Sequence, residues 1–114
     1  MKQVIVIRKD LQLSMGKYVA QAVHAAQRSG VVVDYKNEGN LCVACYVKSE
    51  EKLLKLYQAC QDAGVACGLQ VDGGKTEIDK GTITALSIGP DDWDKVTELT
   101  KRLQLVKVEV VAHG

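Results

Sequence analysis

Residues 71–82 read VDGGKTEIDKGT. Within six positions they bring together Asp72, Gly73, Gly74, Lys75, Thr76 and Glu77: an acid, two glycines, a base, a hydroxyl and a second acid. Adjacent glycines can present backbone N–H groups to an oxyanion or a phosphate, because no side chain blocks the approach. Asp72 is a candidate to orient a water or a neighbouring ammonium, and Thr76 can donate a hydroxyl hydrogen bond. The segment is not a phosphate-binding P-loop, since GGKT matches only the tail of that motif and lacks its upstream glycine. Taken alone, it reads as a glycine-rich turn.

A second set of polar residues keeps a helical beat. Lys17, Gln21, His24 and Arg28 follow one another at intervals of four, three and four, which places them along one helix face. Val19, Ala22, Val23 and Ala26 form the opposite stripe. The polar face is either solvated or meets an anion or the loop carrying Asp72. The first strand exits into Arg8, Lys9 and Asp10, and ligands of open α/β sheets lie beyond the carboxyl ends of strands. Arg8, Lys9, Lys17, Arg28, Lys75 and Lys80 are therefore expected to form one basic rim.

The elements that must position these groups alternate along the chain. QVIVIR (3–8) is almost continuously apolar, as a strand buried on both faces should be. An alanine-rich helix over 15–30 stops at Gly30, and LCVACYVK (41–48) is a second strand. Ser49 can cap a helix that opens with Glu50 and Glu51 and ends at Gly64. VACGLQV and TITALSIG are strands on either side of the 72–81 connection, which is too short for a covered crossover and implies a hairpin. A last helix after Pro90 has Trp93, Val96, Leu99 and Leu103 as its buried stripe, and the tail VKVEVV either adds a short edge strand or stays loose. The order predicts an α/β fold, a three-layer α/β/α arrangement with a mixed, mostly parallel four-stranded sheet.

The chain has 114 residues and a formal net charge of +1, so residues 1–114 fit a single domain and any polyanion site must be a local patch. No run approaches the roughly 20 apolar residues of a membrane span, and the start does not read as a signal peptide. A cytoplasmic protein without membrane contact is expected. Cys42 and Cys45 have the spacing of a zinc half-site but sit in a strand, where positions three apart point to opposite faces. Structural thiols, and no metal, are the expectation.

Two segments together carry a resemblance. VIVIRKDLQLSMGKYVAQAVHAA resembles the opening of the archaeal and eukaryotic-type peptidyl-tRNA hydrolases, through Arg8, Asp10, Leu11, Gly16, Lys17, Ala20, Gln21, His24 and Ala25. DGGKTEIDKGTITALSIGP matches the second motif of that family through Asp72, Gly74, Lys75, Thr76, Ile78, Gly81, Thr82, Thr84, Ile88, Gly89 and Pro90. The chain departs from the usual pattern at Val23, Gly73, Lys75 and Lys80. The resemblance implies hydrolysis of the ester joining a peptide to tRNA, with no cofactor, a peptide-carrying tRNA as partner, and a possible homodimer. It implies Lys17, Asp72 and Thr76 as catalytic residues, with Gln21, His24, Gly73, Gly74, Lys75, Thr82 and Arg8 binding substrate. The alternative is a non-catalytic relative that binds RNA or a protein.

Overall fold

The structure, a computed structural model, describes residues 1–74 and 81–106. Along the chain run β1 (Lys2–Arg8), a 3-10 turn (Lys9–Leu11), α1 (Met15–Arg28), β2 (Leu41–Val47), α2 (Glu50–Ala63), β3 (Cys67–Val71), β4 (Ile83–Asp91), α3 (Trp93–Thr100) and β5 (Gln104–Leu105). Each helix begins on a capping side chain. Ser14 accepts from the Lys17 amide, Ser49 from Lys52 and Asp92 from Lys95, each satisfying one of the donors a helix start leaves unpaired.

The sheet is mixed, as expected, but it has five strands among the described residues, in the order β3-β4-β1-β2-β5. It is mostly antiparallel. Only β1 and β2 pair in parallel, while β4 runs antiparallel to both β1 and β3, and β5 antiparallel to β2. The expectation of four mostly parallel strands fails for a definable reason. The helical connections do make β1, β2 and β3 point the same way. The hairpin then returns β4 between β3 and β1, and β4 supplies both of its neighbours with antiparallel partners. Its residues 84–90 are all buried, and a strand of that kind is most stable in the middle of a sheet. The fifth strand is the short Gln104–Leu105 edge, and the rest of the VKVEVV tail, from residue 107, lies outside the described residues.

Strand alternation divides the core into two layers. Val4, Val6, Leu86 and Ile88 pack with Cys45, Val47, Leu53, Cys60, Val65 and Val96 under α2 and α3. Ile5, Ile7 and Ala85 pack with Ala25 under α1. Helices therefore cover both faces, as the sequence implied. No helix among the described residues is long and apolar enough to cross a membrane.

The polar face of α1 meets the loop carrying Asp72, the second of its two expected readings, and of the opposite stripe Ala22 and Ala26 pack on the core while the valines do not. Val19 and Val23 are exposed, at 57% and 49%, whereas Gln21 and Ala25 are buried. The cause is a close approach of α1 to β3. A Cβ on Gly68 would lie 2.5 Å from the Ser29 amide nitrogen and 2.6 Å from the Ala25 carbonyl oxygen. Ala25 must therefore face the sheet, and Gln21 and Lys17, one and two turns earlier, turn inward with it. Trp93 also departs from its expected place in the α3 stripe. It is 40% exposed, with the Lys2 ammonium 5.4 Å from its ring centroid, while Val96 holds the buried position.

Candidate functional site

The inward turn of α1 brings Lys17 and Gln21 to the carboxyl end of β3, where Asp72 begins the connection to β4. Asp72 is clamped through its backbone, its amide donating to the Thr82 carbonyl at 2.8 Å and its carbonyl accepting from the Gly81 amide at 2.9 Å. Its side chain is buried and held by hydrogen bonds. The Lys17 ammonium donates to Oδ1 at 2.7 Å and Gln21 Nε2 donates to the same oxygen at 3.3 Å. The Gly74 amide donates to Oδ2 at 2.7 Å. Gly74 has φ +76, a left-handed conformation that an L side chain adopts only with strain. The glycine is thus what lets the backbone fold back and donate to its own aspartate. Behind Gln21, the Thr84 hydroxyl donates to Gln21 Oε1 at 2.5 Å, fixing which end of the amide faces Asp72.

The electrostatics follow from these contacts. The Lys17 hydrogen bond holds the Asp72 carboxyl below its ordinary range, against the opposing push of burial, and the Gly74 amide, the Lys17 charge and His24 act in the same direction as the bond. Such a carboxylate is a poor proton acceptor near neutral pH. It is a fixed negative anchor for an ammonium.

The pair lies in the wall of a cleft of about 710 Å³, lined by Ser14, Gly16, Lys17, Ala20, Gln21, His24, Arg28, Gln70, Asp72 and Gly73. The expected residues Lys17, Gln21, His24, Asp72 and Gly73 therefore meet in one place. Gly74 and Thr82 support it through their backbones. Arg8 does not line it. That guanidinium is paired with Asp10 at 2.7 Å and donates to the Ile83 carbonyl at 2.9 Å, tying β1 to β4. Lys75, Thr76 and Lys80 lie outside the described residues. The single basic rim is not formed by the described members: Lys17 and Arg28 line this cleft, and Lys9 lines another.

Two contributors were given no site role from the sequence, Thr84 having been noted only within the second motif. Thr84 orients Gln21, and Gln70 accepts from Arg28 Nε at 2.6 Å. Both are buried polar residues on largely apolar strands, and a polar residue within an apolar run was the signal in the sequence. Cys42 and Cys45 take no part; one is exposed and the other buried, as alternation along β2 requires. No group of three or more potential metal ligands occurs among the described residues.

Comparison with known proteins bears on this arrangement. The family model described as peptidyl-tRNA hydrolase PTH2 matches residues 1–106. A protein named peptidyl-tRNA hydrolase from Methanothermobacter thermautotrophicus is 41% identical over 112 residues, covering 93% of this chain and 100% of that relative. One of the same name from Methanococcus vannielii is 39% identical over 114 residues, covering 92% of this chain and 98% of the relative. A solved structure from Agrobacterium, of a protein of unknown function, superposes with a TM-score of 0.65 over 93% of this chain and 97% of its own, at 14% identity, and shares the fold. With a family match spanning both polar motifs and relatives aligned over nearly their full length, the chain belongs to the peptidyl-tRNA hydrolase PTH2 family.

Proposed function

We propose that the protein, acting as one domain over residues 1–114, hydrolyses the ester bond of peptidyl-tRNA and releases the peptide and free tRNA. The observation that carries this reading is the buried Lys17–Asp72 pair, 2.7 Å between charged atoms, set in the wall of a cleft in a chain of this family. The reaction adds water to the ester carbonyl carbon. The carbonyl oxygen becomes an oxyanion, the bond to the ribose oxygen breaks, and that oxygen takes a proton. The products are a peptide carboxylate and a free ribose hydroxyl.

Lys17 serves as the positive charge for the developing oxyanion. A donor already fixed in place stabilises charge without reorganising at the moment of reaction. Asp72 and Gln21 supply that fixity. Because its carboxyl is held low, Asp72 positions Lys17, and through Oδ2 a water, rather than removing a proton. The ester is activated by its neighbours in the substrate, so a covalent nucleophile is not required. His24 and Arg28, on the rim, meet the RNA end. Thr76 and Lys75 belong to the same reading by their place beside Gly74 in the matching motif.

The experiment is release of labelled peptide from purified peptidyl-tRNA by the wild-type protein and by Lys17→Met. The expected result is turnover by the wild type and a loss in kcat on the order of a hundredfold or more in the variant. No release by the folded wild-type protein would overturn the reading.

A further inference from the structure

A second cleft opens on the other face of the sheet, and the chemistry above does not use it. It measures about 650 Å³ and is lined by Lys9, Lys48, Lys52, Lys55 and Arg102 over a floor that includes Val47, Leu56 and Leu103, with Tyr46 at the wall. Its cations come from four separate places: the turn after β1, the end of β2, α2, and the segment between α3 and β5. Lys52 and Lys55, three apart, lie on one face of α2, and Lys48 sits between the end of β2 and the Ser49 cap. Among the described residues, no acidic side chain lines the cleft. Lys55 is shared with Glu51 at 3.3 Å, and the Lys9 ammonium sits 5.5 Å from the Tyr46 ring centroid. Among the described residues, Lys48, Lys52 and Arg102 have no carboxylate at ion-pair distance. Five of the chain's 15 lysines and arginines thus converge on one cavity in a protein of net charge +1. Apolar walls beneath such a cluster focus its field outward.

The position of the cleft says what kind of anion it meets. β1 and β2 end side by side, Arg8 opposite Val47, and β3 points the same way. The second cleft therefore lies at the same carboxyl end of the sheet as the Lys17–Asp72 site. From β3 to β2 is three strand spacings, about 14 Å at 4.8 Å each. A small free anion would need one tight, oriented cradle; here the ammonium and guanidinium groups are exposed and spread along a trough. That arrangement suits successive phosphates of a polyanion that also reaches the first site. We propose that this cleft is a second RNA-binding surface, which takes backbone phosphates of the tRNA several nucleotides from the ester. The inference rests on the peptidyl-tRNA reading for the identity of the RNA.

The test uses the triple variant Lys48→Ala/Lys52→Ala/Arg102→Ala, whose altered side chains are exposed, with folding checked by circular dichroism. Two substrates separate the sites: a full-length N-acetylaminoacyl-tRNA, and the same acyl group on a CCA trinucleotide, which is too short to span both clefts. The expected result is a KM for the full-length substrate raised at least about tenfold with kcat unchanged, and an unchanged kcat/KM for the trinucleotide. Affinity for deacylated tRNA should fall in parallel, and its dependence on log salt should flatten by about 2 for three lost phosphate contacts. An equal effect on both substrates, or unaltered tRNA affinity in the triple variant, would overturn the proposal. The binding arm does not depend on catalysis. If the wild type hydrolyses neither substrate, the proposed function fails, while a salt-dependent loss of tRNA affinity in the variant still supports the cleft. Wild-type protein that does not bind tRNA at all overturns it.

Discussion

The two clefts at the carboxyl end of the sheet use charge in opposite ways. In the α1 cleft a single ammonium is held against a buried carboxylate, with side-chain exposures of 10% and 3%, and each oxygen of that carboxylate is engaged. In the α2 cleft five cations stand around a cavity with no acid among its described lining residues. The first arrangement fixes the direction of one charge. The second leaves long side chains free to follow a partner. Burial of an ion pair is costly, and it persists where the geometry is good and the remaining polar atoms are satisfied. No buried side-chain nitrogen or oxygen among the described residues lacks a partner. The comparison thus separates a preorganised centre from an adaptable surface, and the two should respond differently to the same kinds of change.

The largest difference is expected in stability and activity together. Gly68→Ala inserts a methyl that meets α1 backbone at 2.5–2.6 Å, and backbone cannot move aside as a side chain tip does. The variant should lose about 1–3 kcal/mol in urea denaturation. It should also lose much of its hydrolytic rate, because the displaced helix carries Lys17 and Gln21. Lys52→Ala, on the exposed side of α2, should change stability by less than about 0.5 kcal/mol. A Gly68→Ala protein with wild-type rate would break the link between helix placement and the site.

A pH series sharpens the contrast. Asp72 has a carboxyl lowered from its ordinary 3.8, so its contribution to stability is fully present above that value and is lost as pH falls through the lower folded value. Asp10 and Asp91 are lowered as well and remain in both proteins of the comparison. The stability gap between wild type and Asp72→Asn should therefore be constant above about pH 5 and shrink as pH drops below 4. A gap that does not change down to pH 2 would mean that the carboxylate is not stabilised by Lys17.

The smallest effects concern the two adjacent glycines. Among the described residues a Cβ on Gly73 meets nothing within 4 Å, so Gly73→Ala should leave stability and rate near wild type. Gly74→Ala forces an L side chain into φ +76 and should cost about 1–2 kcal/mol, with a fall in rate as the amide leaves Oδ2. Thermal denaturation and initial rates of both variants check this, and equal behaviour of the two would contradict the assigned role of the Gly74 amide.

Much of this was legible in the sequence. The Ser49 cap, the hairpin and the two-sided helix cover could be read from the alternation of apolar runs and the residues that flank them, whereas the Ser14 and Asp92 caps were not singled out. The pairing of Lys17 with Asp72 followed from two motifs ending at one edge of a sheet. Strand neighbours were not legible, because a crossover fixes the direction of a strand while the hairpin decides which strand lies next to it. The rotation of α1 was hidden for a similar reason. Periodicity gave two candidate faces, and the choice between them was made by Gly68, some 40 residues beyond the helix. Valines on the outside and a glutamine within reverse the usual rule, and the reversal marks the site.

The most direct test of the central claim, that Lys17 and Asp72 act as one unit in ester hydrolysis, is a double-mutant cycle. Single-turnover hydrolysis of peptidyl-tRNA would be measured for wild type, Lys17→Met, Asp72→Asn and the double variant, each confirmed folded. Groups that work as a unit are non-additive. Each single variant should lose on the order of a hundredfold or more in the chemical step, and the double variant should be little slower than the slower single. Near-wild-type rates in both singles, or losses that multiply in full, would contradict the account.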